Sequence, residues 1–134
     1  MRTTRLPTSE EIQQVTSFLP VLYAEGFEPE VAFRGAISSP EYDPAVYAFF
    51  SLLSQECWSD YDYLRKDPAS MLRRPGAVEQ ATLDEVKTML TFCKRRENFC
   101  GGFWAGVIAN GSVRRLLDRL IKLSEQARTQ DEQS

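Results

Sequence analysis

The sequence predicts a mainly α-helical fold, a single-domain bundle of about four main helices joined by short helices and an irregular segment over 26–42. Three observations carry this. Apolar residues recur at helical spacing in four separate stretches. Helix starts are marked sharply, twice by a Thr-x-x-Glu capping box and once by Asp-Pro. No strand-like run has an evident partner elsewhere in the chain. At 134 residues the chain is one domain, long enough to bury a core without disulfide or metal support. We place that domain over 1–124, with 125–134 as a frayed polar tail.

The first helix begins at Thr8, whose side chain caps while Glu11 reaches back. Ile12, Val15, Leu19 and Leu22 form its inner stripe, and Pro20 predicts a kink or stop near Leu19. Residues 26–42 are punctuated by Pro29, Gly35 and Pro40 and read as loop with a short extended piece. Asp43-Pro44 opens a second helix running to about Cys57, with Val46, Phe49, Phe50, Leu53 and Cys57 inward. Asp67-Pro68 starts a short helical piece that Arg74-Pro75-Gly76 ends. Thr82 and Glu85 form the second capping box, ahead of Val86, Met89, Leu90 and Cys93. Residues 102–111 suit a hairpin around Asn110-Gly111 or a short helix, and we favour the helix because no second strand run follows. Ser112 caps a last helix with Val113, Leu116, Leu117, Leu120 and Leu123 on one side.

Composition narrows the chemistry. The chain has no histidine, which removes the usual general base near neutral pH, Ser-His and Cys-His pairs and imidazole metal sites. Its three cysteines, Cys57, Cys93 and Cys100, lack the spacing of a zinc site or disulfide framework and suit reduced thiols in the cytoplasm. No apolar run approaches the roughly 18 residues of a membrane span. The net charge of −3 makes direct nucleic-acid binding an unfavoured expectation. The charge is split: residues 1–60 carry three basic and nine acidic side chains, residues 61–134 thirteen and ten.

Four constellations are candidates for function. Trp58-Ser59-Asp60-Tyr61-Asp62-Tyr63 offers two carboxylates among aromatics, for a cation or for acid–base work, though capping of a helix or turn by Asp60 and Asp62, with Trp58 and Tyr63 entering the core, is the favoured reading. It lacks the ligand spacing of a calcium loop. Lys94-Arg95-Arg96-Glu97 offers Arg95 as a two-pronged anion grip, a cationic helix end, or an ion pair of Arg95 with Glu97 or Asp60. Phe99 to Trp104 carries a double glycine that fits a tight turn better than a phosphate loop, and Cys100 lacks an activating base. Arg115, Arg119 and Lys122 form a basic face on the last helix, beside an Arg114–Asp118 pair at i,i+4 spacing. No metal site and no cofactor is expected.

The stretch LTFCKRRENFCGGFWAGVIANGSVRRLLDRL resembles the C-terminal signature of a family of small bacterial and phage proteins catalogued as a domain of unknown function. That signature runs Leu-Thr-Tyr, then Arg-Gly-Glu-Arg-Phe, a small residue, Asp-Gly, any residue and Trp. Leu90, Thr91, Arg95, Glu97, Phe99, Gly102, Trp104 and Gly111 match it. Arg96, Asn98 and Gly101 depart from it, and Phe103 stands where many members have histidine. The resemblance implies an accessory role on phages or mobile elements, acting on a host complex such as a defence assembly.

Two functions are carried forward. The first is a non-catalytic module that binds a protein partner. The second is a protein that binds or sequesters a small anionic or nucleotide-like ligand, with carboxylate-based catalysis the least favoured form. Trp58, Asp60, Asp62, Arg95, Glu97 and Trp104 are the ligand- or partner-contacting candidates in both, and the oligomeric state is left open.

Overall fold

A computed structural model of the chain describes residues 5–29, 42–97 and 102–133, with side chains as far as residue 127. The described residues form seven α-helices and no strand: α1 (Ser9–Thr16), α2 (Leu19–Leu22), α3 (Pro44–Leu52), α4 (Pro68–Arg73), α5 (Leu83–Arg96), α6 (Phe103–Ala109) and α7 (Ser112–Gln133). Two 3-10 turns, Glu56–Trp58 and Tyr63–Lys66, connect α3 to α4. The mainly α fold is as the periodicity predicted, and 102–111 is helical. The short extended piece expected after Gly26 falls largely on residues 30–41, outside the described ones. The polar residues 125–133 continue α7, whose 22 residues span roughly 33 Å.

Both capping boxes form. The Glu11 and Glu85 N–H groups donate to the hydroxyls of Thr8 and Thr82, at 3.3 and 3.2 Å. The glutamate carboxylates accept the threonine N–H groups in return, at 2.8 and 2.9 Å. Thr82→Ala removes one side of such a box from α5, the central helix. We expect it to cost about 1 kcal/mol in a urea melt, the usual loss for a cap.

Two boundaries differ from expectation. α1 already ends at Thr16, and Pro20 occupies the first turn of α2, where its missing N–H leaves no bond unmade. α3 stops at Leu52 and the chain reaches Cys57 through a turn and a 3-10 segment. Successive residues on an α-helix diverge by about 100°. A continued helix would bury Cys57 and swing Trp58 away, whereas the tighter path buries both.

The core lies between α5 and α7, which pack on each other. α1 and α6 cover α7, while α4, α6 and both 3-10 turns cover α5. Val86, Met89, Leu90 and Cys93 of α5 and Val113, Leu116, Leu117 and Leu120 of α7 are fully buried, as are Phe49 and Phe50 of α3. α6 and α7 are joined at Gly111, whose φ of +86° is the left-handed region that glycine adopts without strain. Tyr23 locks this corner: its hydroxyl donates to the Ile108 carbonyl at 2.8 Å and accepts the Arg114 N–H at 3.0 Å.

Candidate functional site

α5 positions most of the residues singled out in the sequence, because its stripe holds it centrally while its ends meet other elements. Asp60 follows the first 3-10 turn and lies against the middle of α5, only 8% exposed. Its Oδ2 accepts from Lys66 Nζ at 2.8 Å and from the Thr88 hydroxyl at 2.6 Å. Its Oδ1 accepts the Asp62 N–H at 2.9 Å, closing an Asx turn. The Thr91 hydroxyl accepts the Asp60 N–H at 3.0 Å and lies 2.9 Å from the Trp58 and Lys87 carbonyl oxygens. Burial opposes the charge on Asp60, but the bonds from Lys66, Thr88 and the Asp62 N–H outweigh it, and its carboxyl titrates below the ordinary range.

Asp60 is therefore a satisfied internal anion, and its cation is Lys66 rather than Arg95. Trp58 is fully buried, and its indole N–H has no acceptor among the described residues. Asp62 stands at the head of the second 3-10 turn without a side-chain cap bond.

Glu97 follows α5 and faces the start of α6. Gly102, the N-cap of α6, has no side chain with which to satisfy the free N–H groups there. Glu97 supplies the missing acceptor. Its Oε2 takes the Gly102 N–H at 3.3 Å and the Tyr42 hydroxyl at 2.7 Å, and its Oε1 takes the Trp104 N–H at 3.0 Å. Trp104 is fixed from two further sides. Its indole N–H donates to the Lys94 carbonyl at 3.2 Å, and its ring stacks on Phe50 at 4.4 Å and 5°. Tyr42 and Tyr47 complete this aromatic corner at 5.4 and 6.3 Å from Trp104.

Arg95 joins neither group. Its guanidinium carbon lies 5.7 Å from the Tyr61 ring centroid and 5.8 Å from that of Tyr63, and no carboxylate among the described residues pairs with it. The six candidates thus separate into a buried knot (Trp58, Asp60, with Asp62 at its edge), an α5–α6 corner (Glu97, Trp104) and a surface arginine.

The basic face of α7 is largely tied down. Arg115 binds Glu79 through two nitrogens at 3.0 and 3.1 Å and donates to the Leu72 carbonyl at 3.3 Å. Donating to the Glu79 carboxylate raises the Arg115 pKa further. Arg119 donates to the Ala81 carbonyl at 2.8 Å. Both staple α7 to the segment after α4, and Lys122 remains exposed beside them. The Arg114–Asp118 pair does not form, since Arg114 lies over the Tyr23 ring at 5.8 Å.

The described thiols are poor nucleophiles. Burial and the neighbouring Glu11 push Cys57 to about 11, and burial pushes Cys93 to about 12. Cys100, Phe99 and Gly101 lie outside the described residues. Lys87, not singled out in the sequence, is buried on α5 and donates to the Arg5 carbonyl at 2.9 Å. Burial lowers its pKa against the pull of Asp84 and Asp60.

Three concavities are described. One of about 260 Å³ separates α1 from α7 near Ile12 and Ile121, and one of about 150 Å³ lies at Glu79 and Arg115. The largest, about 540 Å³, runs between α4, α5 and α6. Leu72, Phe92, Phe103 and Val107 form its apolar floor, and Arg73 and Arg96 its rim. None of the three is lined by Trp58, Asp60, Asp62, Arg95, Glu97 or Trp104. The sequence does not join these residues into a groove: Arg96 reads with the cationic end of α5 and Phe103 with the glycine turn, and Phe92 is not singled out. The signal available was Phe92, an apolar residue four positions before Arg96 and so on the same polar flank of α5, beside its inner stripe.

No helix among the described residues is long and apolar enough to cross a membrane. No curated protein and no solved structure matches the chain. A family profile does match, over residues 7–126, from the first capping box through most of α7. The chain belongs to that family, a family of unknown function designated DUF6508.

Proposed function

We propose that the protein is a non-catalytic module that binds another protein. The observation that carries this reading is Arg95. Two tyrosine rings flank its guanidinium, and no carboxylate among the described residues pairs with its hydrogen-bonding edge. Arginine and tyrosine are the residue types that dominate binding hot spots, and a guanidinium held by aromatic faces is pre-organised for a carboxylate. Leu64, in the same 3-10 turn as Tyr63, is 76% exposed and adds apolar surface.

The acidic candidates support the same reading from the other side. Asp60 and Glu97 are engaged in bonds that hold elements together, which leaves little carboxylate chemistry for turnover. The family resemblance supplies a setting for the proposal, an accessory factor of a phage or mobile element acting on a host complex.

Affinity capture from the native host, with the wild-type chain and Arg95→Glu side by side, tests the reading. The expected result is a stoichiometric partner held by the wild type and reduced by about tenfold or more in the variant, the scale of a lost charge-assisted contact. The variant should still melt cooperatively, losing only about 1–2 kcal/mol with the two tyrosine contacts, because Arg95 makes no ion pair among the described residues. A wild-type chain that captures nothing, or that turns over a defined compound, refutes the proposal.

A further inference from the structure

We propose that the groove between α4, α5 and α6 docks an acidic, amphipathic segment of the partner protein, its apolar side chains on the Phe92–Phe103 floor and its carboxylates on Arg73 and Arg96. The inference rests on the binding-module reading and names where, and with what chemistry, the partner is held.

The floor comes first. Phe92 and Phe103 meet edge to face, with centroids 5.7 Å apart and planes at 86°. Both rings are only half-buried, as are Ala69 and Leu72 beside them, so the groove presents apolar surface to solvent along α4 and α5. Its volume of about 540 Å³ falls within the range of ligand clefts, roughly 300–1,000 Å³. A small-ligand site would enclose its ligand on most sides, whereas this groove is open to solvent along its length. A shallow floor suits a chain that buries one face and leaves the other wet, as an amphipathic helix in a groove does.

Charge then selects the occupant. The described residues lining the groove include two arginines and no carboxylate. Arg73 and Arg96 are exposed, and neither pairs with an acidic group among the described residues. Arg96 comes from the last turn of α5 and Arg73 from the last turn of α4, so two helix ends converge on one rim. Two unneutralised guanidinium groups flanking an apolar strip favour carboxylates flanking apolar side chains, and they disfavour a basic partner. Arg95 lies on the neighbouring side of the same helical turn and extends the cationic surface towards Tyr61 and Tyr63.

Panning a random peptide library on the immobilised full chain tests this, followed by anisotropy titration of the enriched peptides. The enriched sequences should carry Asp or Glu beside apolar residues at i, i+3 or i+4 spacing. Their affinity should fall by about tenfold or more in the double variant Arg73→Glu/Arg96→Glu, and should weaken as salt is raised. Phe92→Ala should weaken them as well, and both variants should melt cooperatively. The groove proposal is overturned if the enriched peptides lack acidic residues, if the charge-reversed chain binds them equally, or if decanoate binds saturably while no peptide is enriched. A native partner retained equally by the double variant removes the groove alone and leaves the binding-module reading standing. A chain with neither native partner nor enriched peptide removes both.

Discussion

Asp60→Ala should lower the stability of the fold by about 2–4 kcal/mol, the range for removing one member of a buried, hydrogen-bonded polar group. The loss does not come mainly from Lys66. That ammonium is 40% exposed and can return to water, so Lys66→Ala should cost only about 0.5–1 kcal/mol. What Asp60→Ala leaves behind is an Asp62 N–H without its acceptor, a buried Thr88 hydroxyl left with only the Asp84 carbonyl at 3.0 Å, and a void where the 3-10 turns meet α5. For a domain of this size the melting temperature should drop by roughly 6–15 °C.

The same residue makes a pH prediction of definite sign. The Asp60 carboxyl titrates lower in the fold than in the unfolded chain, so its contribution is complete above the ordinary aspartate range near pH 4. It is lost as the pH falls through the lower, folded value. Asp60→Asn cannot titrate there. The gap in melting temperature between wild type and Asp60→Asn should stay constant from about pH 7 to pH 5 and narrow below about pH 4. Melts followed by circular dichroism over that range decide it. A gap that persists unchanged at the acid end would show that Asp60 does not act as a charged acceptor.

Glu97→Ala should produce the second large effect, about 2–3 kcal/mol, with a local signature. Three donors lose their acceptor at once: the Gly102 and Trp104 N–H groups at the start of α6 and the Tyr42 hydroxyl. α6 has only seven residues, too few to be stable alone, and depends on this anchor and on its packing against α5 and α7. Amide exchange should therefore quicken in α6 more than in α5. The near-ultraviolet dichroism of Trp104 should weaken as its stack on Phe50 loosens. Glu97→Gln, which keeps the shape and one good acceptor, should recover about half of the loss. Unchanged exchange in α6 would mean that the carboxylate does not hold this helix.

These two residues also show where sequence reasoning succeeded and where it stopped. Asp60 and Glu97 stood out in the sequence as ligand- or partner-contacting candidates, each a carboxylate among aromatics near a turn, with turn capping the alternative for Asp60. Their partners did not. Asp60 is bonded to Thr88 and Thr91, 28 and 31 residues away, and Glu97 to Tyr42, 55 residues away. Lys66 competed with Arg95 for Asp60, and no spacing rule ranks two cations on different elements. The intramolecular partners of the basic face of α7 were hidden for a related reason. Periodicity correctly put Arg115 and Arg119 on one side of the helix, but what lies opposite, Glu79 and the Leu72 and Ala81 carbonyls, depends on how the segment after α4 folds over it.

Helix starts, inward faces and the all-α class were set by the sequence itself, because caps, Asp-Pro steps and apolar periodicity act over three or four residues and need no distant partner. The capping boxes at Thr8 and Thr82, the Asp43 cap and the stripe of α5 are of this kind. Tertiary packing alone decided that Trp58 and Asp60 turn inward, that Glu97 caps a neighbouring helix, and that Phe92, Phe103, Arg73 and Arg96 share one groove. Each of those outcomes depends on which helices lie side by side, and that is fixed by the burial of the whole core rather than by any local run of residues.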